Sequence, residues 1–236
     1  MGLYQGIRQE AFWLLAENRF HDSKSYYEEN KERLKKEVLD PLRALTADLA
    51  SVMADIDPQI VVSPTANGCI SRIRRDNRYT RDKSMYRENV WVAFLRDKRA
   101  WECLPGFYID MSMQGSSRGL GFYWASPRLM QTLRKMLDEK PEPILSAAQQ
   151  ALDAGFQLEG DVYARPKRVE GPPLLLELYN RKIWEFSRHE TGHALAADPA
   201  LPSLLEQEYR ALAPLYRVMI AGVERELETR GREEGV

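Results

Sequence analysis

Two stretches of the 236-residue chain hold residue types at spacings that could do chemistry. The first, His189-Glu190-Thr191-Gly192-His193, reads H-E-x-x-H. On a helix, histidines at i and i+4 share a face and can both bind Zn²⁺, and the glutamate beside the first can act as general base on the metal-bound water. A zinc hydrolase built on His189, Glu190 and His193 would need a third ligand. Glu206 and Glu208 are the nearest suitable downstream carboxylates. Against this, Gly192 weakens a helix by about 1 kcal/mol relative to alanine. Asp198-Pro199 then ends the segment. The alternative is a polar helix end facing solvent, and the expectation is that no metal is bound.

The second stretch is residues 72–87, with seven basic and two acidic side chains in a chain of net charge -1. Strand alternation would put Arg72 and Arg74 on one face, Ile73 and Arg75 on the other. Asp76-Asn77 then starts a turn, and Arg78, Lys83 and Arg87 follow within one loop. Arginine forks hold carboxylates or phosphates bidentately, and a lysine adds a point charge. Tyr79 and Tyr86 could stack on a base or sugar. One reading is a site for a small anionic ligand (phosphate, nucleotide or carboxylate) built from Arg72, Arg75, Asp76, Arg78, Asp82 and Lys83. Asp76 would orient the arginines, or act as an acid or base. The competing reading is an internal network in which Asp76 and Asp82 pair with the bases and lock the loop, as in a structural or interaction module. Nucleic acid is a weaker form of the first reading, because the overall charge lends it no support.

The elements that must position these groups fall into three blocks. Apolar residues at Ile7, Ala11, Phe12, Leu14 and Leu15 predict a short helix over 5–18, and Ser23 is an N-cap for the next. That second helix carries the stripe Val38, Leu42, Leu45, Leu49, Val52, Ile56, with a kink or restart expected at Pro41. From 60 to about 125 the chain reads as strands: Ile60–Val62, Ile70–Arg75, Val90–Arg96, Phe107–Met113 and Leu120–Trp124. The connections are too short for helical crossovers, so the sheet should be mainly antiparallel. Helices return at 126–138, 142–153, 175–188 and 203–230, the last with Pro214 as an interruption. The order predicts one α+β domain over residues 1–236, its sheet from the middle third packed by N-terminal and C-terminal helices. Gly115-Ser116-Ser117-Arg118-Gly119 fits G-x-S-x-G, but a hairpin turn is the better reading, because strand-like Gly121–Trp124 follows where a nucleophile elbow needs a helix.

The string Arg72-Ile73-x-Arg75-Asp76-x-Arg78-Tyr79-x-x-Asp82-Lys83-x-x-Tyr86 resembles the signature of a family catalogued as domain of unknown function 2461. Upstream, Asn18, Tyr26-Tyr27, Asn30-Lys31 and Pro41 resemble its first two helices. Downstream, Gly119-x-Gly121 with Trp124 and Pro127 resembles its glycine-rich turn after a strand, and Leu212-x-Pro214-Leu215 its C-terminal helix. Met85 stands where the family usually has proline, and Asn77 where it usually has an apolar residue. The resemblance implies one α+β domain of this length and no particular reaction.

Composition bounds the rest. With 44% apolar and 29% charged residues the chain is neither collagen-like, disordered nor a disulfide scaffold. A net charge near zero excludes a uniformly basic coat for nucleic acid. Cys69 and Cys103 lack CxxC spacing and read as reduced thiols. No basic n-region precedes an apolar stretch at the N-terminus. The longest clear apolar run, Val90–Leu95, is far below the roughly 20 residues of a membrane span. These features predict a cytoplasmic protein with no membrane partner. No dinucleotide or P-loop fingerprint is present, so no cofactor is expected.

Overall fold

Capping residues and apolar faces decide the first block. The structure, a computed structural model, describes residues 2–66, 68–78, 80–99 and 103–234. Helix α1 (Gln9–His21) buries Ala11, Phe12, Leu14 and Leu15 and stops at Asp22, whose left-handed backbone (φ 43°) turns the chain. Ser23 caps α2 (Lys24–Leu34), its hydroxyl accepting the Tyr26 N–H at 3.2 Å. The stripe from Val38 to Ile56 is buried throughout. It is carried by a π-helical turn (Lys35–Leu39), α3 (Asp40–Asp48) and α4 (Ala50–Ile56). Pro41 explains the restart. It has no N–H to return and its ring crowds the preceding turn. The wider turn, in which the Asp40 N–H reaches the Lys35 carbonyl, absorbs both problems.

The sheet follows. Its strands are β1 (Val90–Phe94), β2 (Pro105–Met111), β3 (Gly115–Phe122), β4 (Gln157–Glu159) and β5 (Glu185–Thr191), in spatial order β1-β2-β3-β5-β4 and antiparallel. Helices α5 (Pro127–Glu139), α6 (Pro141–Asp153), α7 (Pro173–Asn180), α8 (Ala194–Ala197) and α9 (Leu201–Glu234) complete the α+β architecture. Along β1 and β2 every second residue is buried and the others are half-buried, so Trp91, Tyr108 and Asp110 share the more open face.

Backbone hydrogen bonds fix the register. Ser112 N–H donates to the Gly115 carbonyl at 2.8 Å, closing the β2–β3 hairpin and setting Asp110 opposite Ser117. Phe122 N–H donates to Trp184 at 3.2 Å, and Gly192 N–H to Gln114 at 2.8 Å. Both bonds give the same β3–β5 register, which sets Ser117 opposite His189.

The chain divides into two compact units. The first comprises Met1–Phe94, Tyr108–Arg118 and His189–Gln207. Its core includes Ile7, Phe12, Leu15, Val38, Leu42, Leu45, Val90 and Val92. The second comprises Leu95–Phe107, Gly119–Arg188 and Glu208–Val236. There Phe107 lies 5.1 and 5.0 Å from the rings of Tyr209 and Tyr216, and buried Trp184 donates its indole N–H to the Leu178 carbonyl at 2.8 Å. Cys69 and Cys103 are free and buried.

The structure corrects several expectations. Residues 181–188 are not helical: α7 ends at Asn180 and the chain enters β5, so β4 and β5 extend the sheet beyond the middle third. Neither Ile60–Val62 nor Ile70–Arg75 forms a full strand. The second joins its neighbour only through isolated bridges. The segment Gly115–Gly119 is strand, not turn; the turn is at Ser112–Gln114, and Gly119-x-Gly121 likewise lies inside β3. Helix α9 runs through Pro214 without interruption. Leu212, Ala213, Leu215 and Tyr216 are all buried, and burial on both sides outweighs one lost hydrogen bond.

Candidate functional site

The basic segment is a strand-like stem with a folded tip, and it lies wholly in the first unit. Residues 69–75 run antiparallel to 85–93. Ser71 N–H donates to Trp91 at 2.9 Å and Ala93 N–H to Cys69 at 2.8 Å. Nearer the tip, Arg75 N–H donates to Met85 at 2.8 Å and Arg87 N–H to Ile73 at 3.0 Å. The register shifts by two residues between these pairs, a bulge that interrupts the ladder. The side chains alternate as expected. Arg72 and Arg74 are exposed, Ile73 is buried, and the Arg75 side chain is only 17% exposed.

The six residues expected to form one site have different tasks. Asp82 is the hub of a lock. Its carboxylate accepts from Arg75, from Arg19 Nη2 at 2.8 Å, and from the Ser84 N–H and hydroxyl at 3.0 and 2.8 Å. The Ser84 N–H, then Arg75, the Ser84 hydroxyl and Arg19, hold this carboxyl well below the usual range. Lys83 donates to the Asn77 and Arg78 carbonyls at 3.0 and 3.4 Å, while Asn77 returns a bond to the Lys83 carbonyl at 2.8 Å. Asp76 is gripped by Arg78, whose Nε and Nη2 lie 2.9 and 2.7 Å from its two oxygens. The Arg78 side chain and backbone N–H, with the nearby charge of Arg72, bring the Asp76 carboxyl down to about 2. This second pair is exposed on both sides, 71% for Arg78 and 57% for Asp76. Arg72 Nε donates to the Ala66 carbonyl at 3.3 Å.

Two anchors carry no signal in the local sequence. Asp22, at the turn after α1, accepts the Met85 N–H at 2.6 Å. Arg19 reaches Asp82 and the Tyr86 carbonyl, the latter at 3.3 Å. Tyr86 is buried and stacks on Tyr27 rather than facing a ligand, with ring centroids 5.2 Å apart. Tyr79 lies outside the described residues. Asp82→Ala removes the shared partner of Arg19 and Arg75. Trypsin is expected to cut the 72–87 segment about tenfold faster in this variant, because proteolysis follows local opening. Unchanged cleavage would show that the lock carries no tension.

The H-E-x-x-H segment takes a different shape from the helix that motivated it. His189 and Glu190 are consecutive strand residues, so their side chains leave opposite faces of β5. Glu190 accepts from the buried Arg118 guanidinium at 3.3 Å. Gly192 then turns the backbone (φ 75°), and His193 stands just before α8. The shared helical face that would align two imidazoles is not formed. Among the described residues no group of three His, Cys, Asp or Glu side chains is placed to hold a metal ion. Nor is any described helix long and apolar enough to cross a membrane.

A family model described as a conserved hypothetical protein, DUF2461, matches residues 10–217, a span that contains the whole loop, its α1 anchors and all five strands. No curated protein and no solved structure matches the chain.

Proposed function

The chain belongs to the DUF2461 family, whose description assigns no reaction, and from that premise we propose that it is an anion-binding protein using the tip of the Arg72–Arg87 loop. One observation carries this reading. Arg78 already holds a carboxylate in a two-point grip, with Arg72 close enough to act on the same group, and the held carboxylate is the chain's own Asp76. An exposed ion pair of this kind is weak, because water screens both charges. A phosphate or carboxylate with more charge can therefore displace Asp76 and take the same fork. Arg78, Arg72 and Lys83 contact the anion, Asp76 keeps the fork oriented when it is empty, and Asp82 with Arg75 keeps the loop in shape.

The test is a phosphate titration of the full chain. Arg78→Ala is expected to abolish binding. Asp76→Ala removes the internal competitor and is expected to tighten binding by about fivefold. A second reading rests on the Asp82 hub: the charges are an internal lock that shapes a structural or interaction surface. On that reading none of the three proteins takes up phosphate.

A further inference from the structure

The open face of the sheet carries a row of polar groups that the loop does not use, all of it within the first unit. Asp110 on β2, Ser117 on β3 and His189 on β5 stand opposite one another in register. The bonds at Phe122 and Gly192 leave Ser117 and His189 as a non-hydrogen-bonded pair, whose Cα atoms lie about 4.5 Å apart. The bond at Ser112 makes Asp110 and Ser117 a hydrogen-bonded pair, about 5.5 Å apart. The row therefore runs about 10 Å across three strands. Tyr108, Asp110 and Ser117 are half-buried and His189 is exposed, so it opens to solvent at its β5 end.

Side-chain contacts knit the row together. Asn89 Nδ2 donates to Asp110 Oδ2 at 2.7 Å, and the Tyr108 and Ser117 hydroxyls are 3.3 Å apart. Arg87, Asn89 and Trp91 alternate along one strand direction and are all half-buried, so they share this face. The Arg87 guanidinium lies 4.2 Å from the centroid of the Trp91 ring, which gives the row an aromatic surface at its β1 end. Strands β2 and β3 are flanked on both sides, so their backbone groups are spent in the ladder and recognition on this face falls to side chains.

The chemistry of the row selects its ligand. A carboxyl, an amide, two hydroxyls and an imidazole supply both donors and acceptors. An apolar ligand would desolvate these groups without pairing them. A bare anion only accepts, and it meets the Asp110 carboxylate as a like charge. No three ligating side chains among the described residues are placed for a metal ion. Arg87 lies close enough for its charge to act on Asp110, so the two offset each other and the face asks for no further charge. A polyhydroxylated ligand fits all of this: each hydroxyl both donates and accepts, and its C–H surface packs on an aromatic ring.

We infer that this face is a binding site for an uncharged sugar, whose hydroxyl groups bond Asp110, Ser117 and Tyr108 and whose ring lies toward Trp91. The site is separate from the grip at Arg78 and does not depend on it. The experiment is ligand-observed NMR titration of the full chain with glucose, galactose, mannose, maltose, cellobiose and lactose. At least one of these is expected to bind with a dissociation constant of about 1 mM or tighter. Ser117→Ala and, separately, Asp110→Asn are each expected to weaken that binding about tenfold. Asp110→Asn keeps the shape of the side chain and an acceptor for Asn89, so it reports even if Ser117→Ala does not fold. Excess inorganic phosphate is expected to leave the sugar bound. Binding of none of the six sugars, unchanged affinity in either folded variant, or displacement by phosphate overturns the inference. None of these results bears on phosphate uptake at Arg78, so the two sites fail separately.

Discussion

Gly119→Ala is expected to destabilise the protein by at least about 3 kcal/mol, at the upper end of overpacking effects. A methyl group at this position of β3 would overlap the Phe186 carbonyl oxygen and stand 2.9 Å from its carbon and 3.0 Å from Ser187 Cα. All three are backbone atoms of the neighbouring strand, so no flexible side chain can yield. Relief requires β3 and β5 to separate, which breaks ladder hydrogen bonds between strands whose Leu120, Phe122 and Phe186 are buried. For a chain of this size 1 kcal/mol moves the melting temperature by about 2–4 °C. The expected drop is therefore about 6 °C or more, with loss of soluble expression as the extreme. A melting temperature within about 2 °C of wild type would contradict the close approach of these strands.

Asp110→Asn is expected to stabilise the protein by an amount that grows from about pH 4 to about pH 6 and stays constant above. Burial raises the Asp110 carboxyl from 3.8 to about 6 in the folded chain. An acid whose folded value is raised favours the folded state while protonated. Its contribution is full below the unfolded value, is lost progressively as pH rises from there, and is gone once pH passes about 6. A shift of about two units corresponds to at most about 3 kcal/mol between acid and neutral pH. Asparagine cannot ionise, and its side-chain oxygen can still accept from Asn89. The variant should therefore gain about 2 kcal/mol over wild type at pH 8 and nearly nothing at pH 4. Asp76 and Asp82 act with the opposite sign. Their depressed carboxyls contribute stability above the usual carboxylate range that is lost in acid. They are common to both proteins and cancel in the difference. An equal gain at pH 4 and pH 8 would show that the effect is not titration of Asp110.

Much of this architecture is legible in the residues. The stripe from Val38 to Ile56 announces a buried helical face, and Pro41 the break in it, because both follow from local geometry. Strands β1 and β2 show in short β-branched and aromatic runs bounded by Asn, Asp, Pro and Gly. The β5 segment Glu185–Thr191 shows no such pattern. Only Phe186 and Ser187 are buried, and the segment follows Leu174, Leu175, Leu176 and Leu178, an apolar run that is helical in α7. The i, i+4 spacing of His189 and His193 would share one face only if that segment were a helix, and it is a strand ending in a turn. In the loop, the excess of positive charge is plain from composition, but its division into lock and grip is not. The division depends on Arg19 and Asp22, each more than 60 residues from its partner. The role of Gly119 depends on a backbone that arrives from 67 residues away in sequence.

The loop's function turns on whether Arg78 can exchange its own carboxylate for an outside anion. The direct measurement is calorimetric titration of inorganic phosphate into wild type, Asp76→Ala and Arg78→Ala, each confirmed folded. The expected result is about one phosphate per chain in wild type, about fivefold tighter binding in Asp76→Ala and no binding in Arg78→Ala. No phosphate uptake by wild type or Asp76→Ala, or equal uptake by all three, would contradict it and leave the charges as an internal lock.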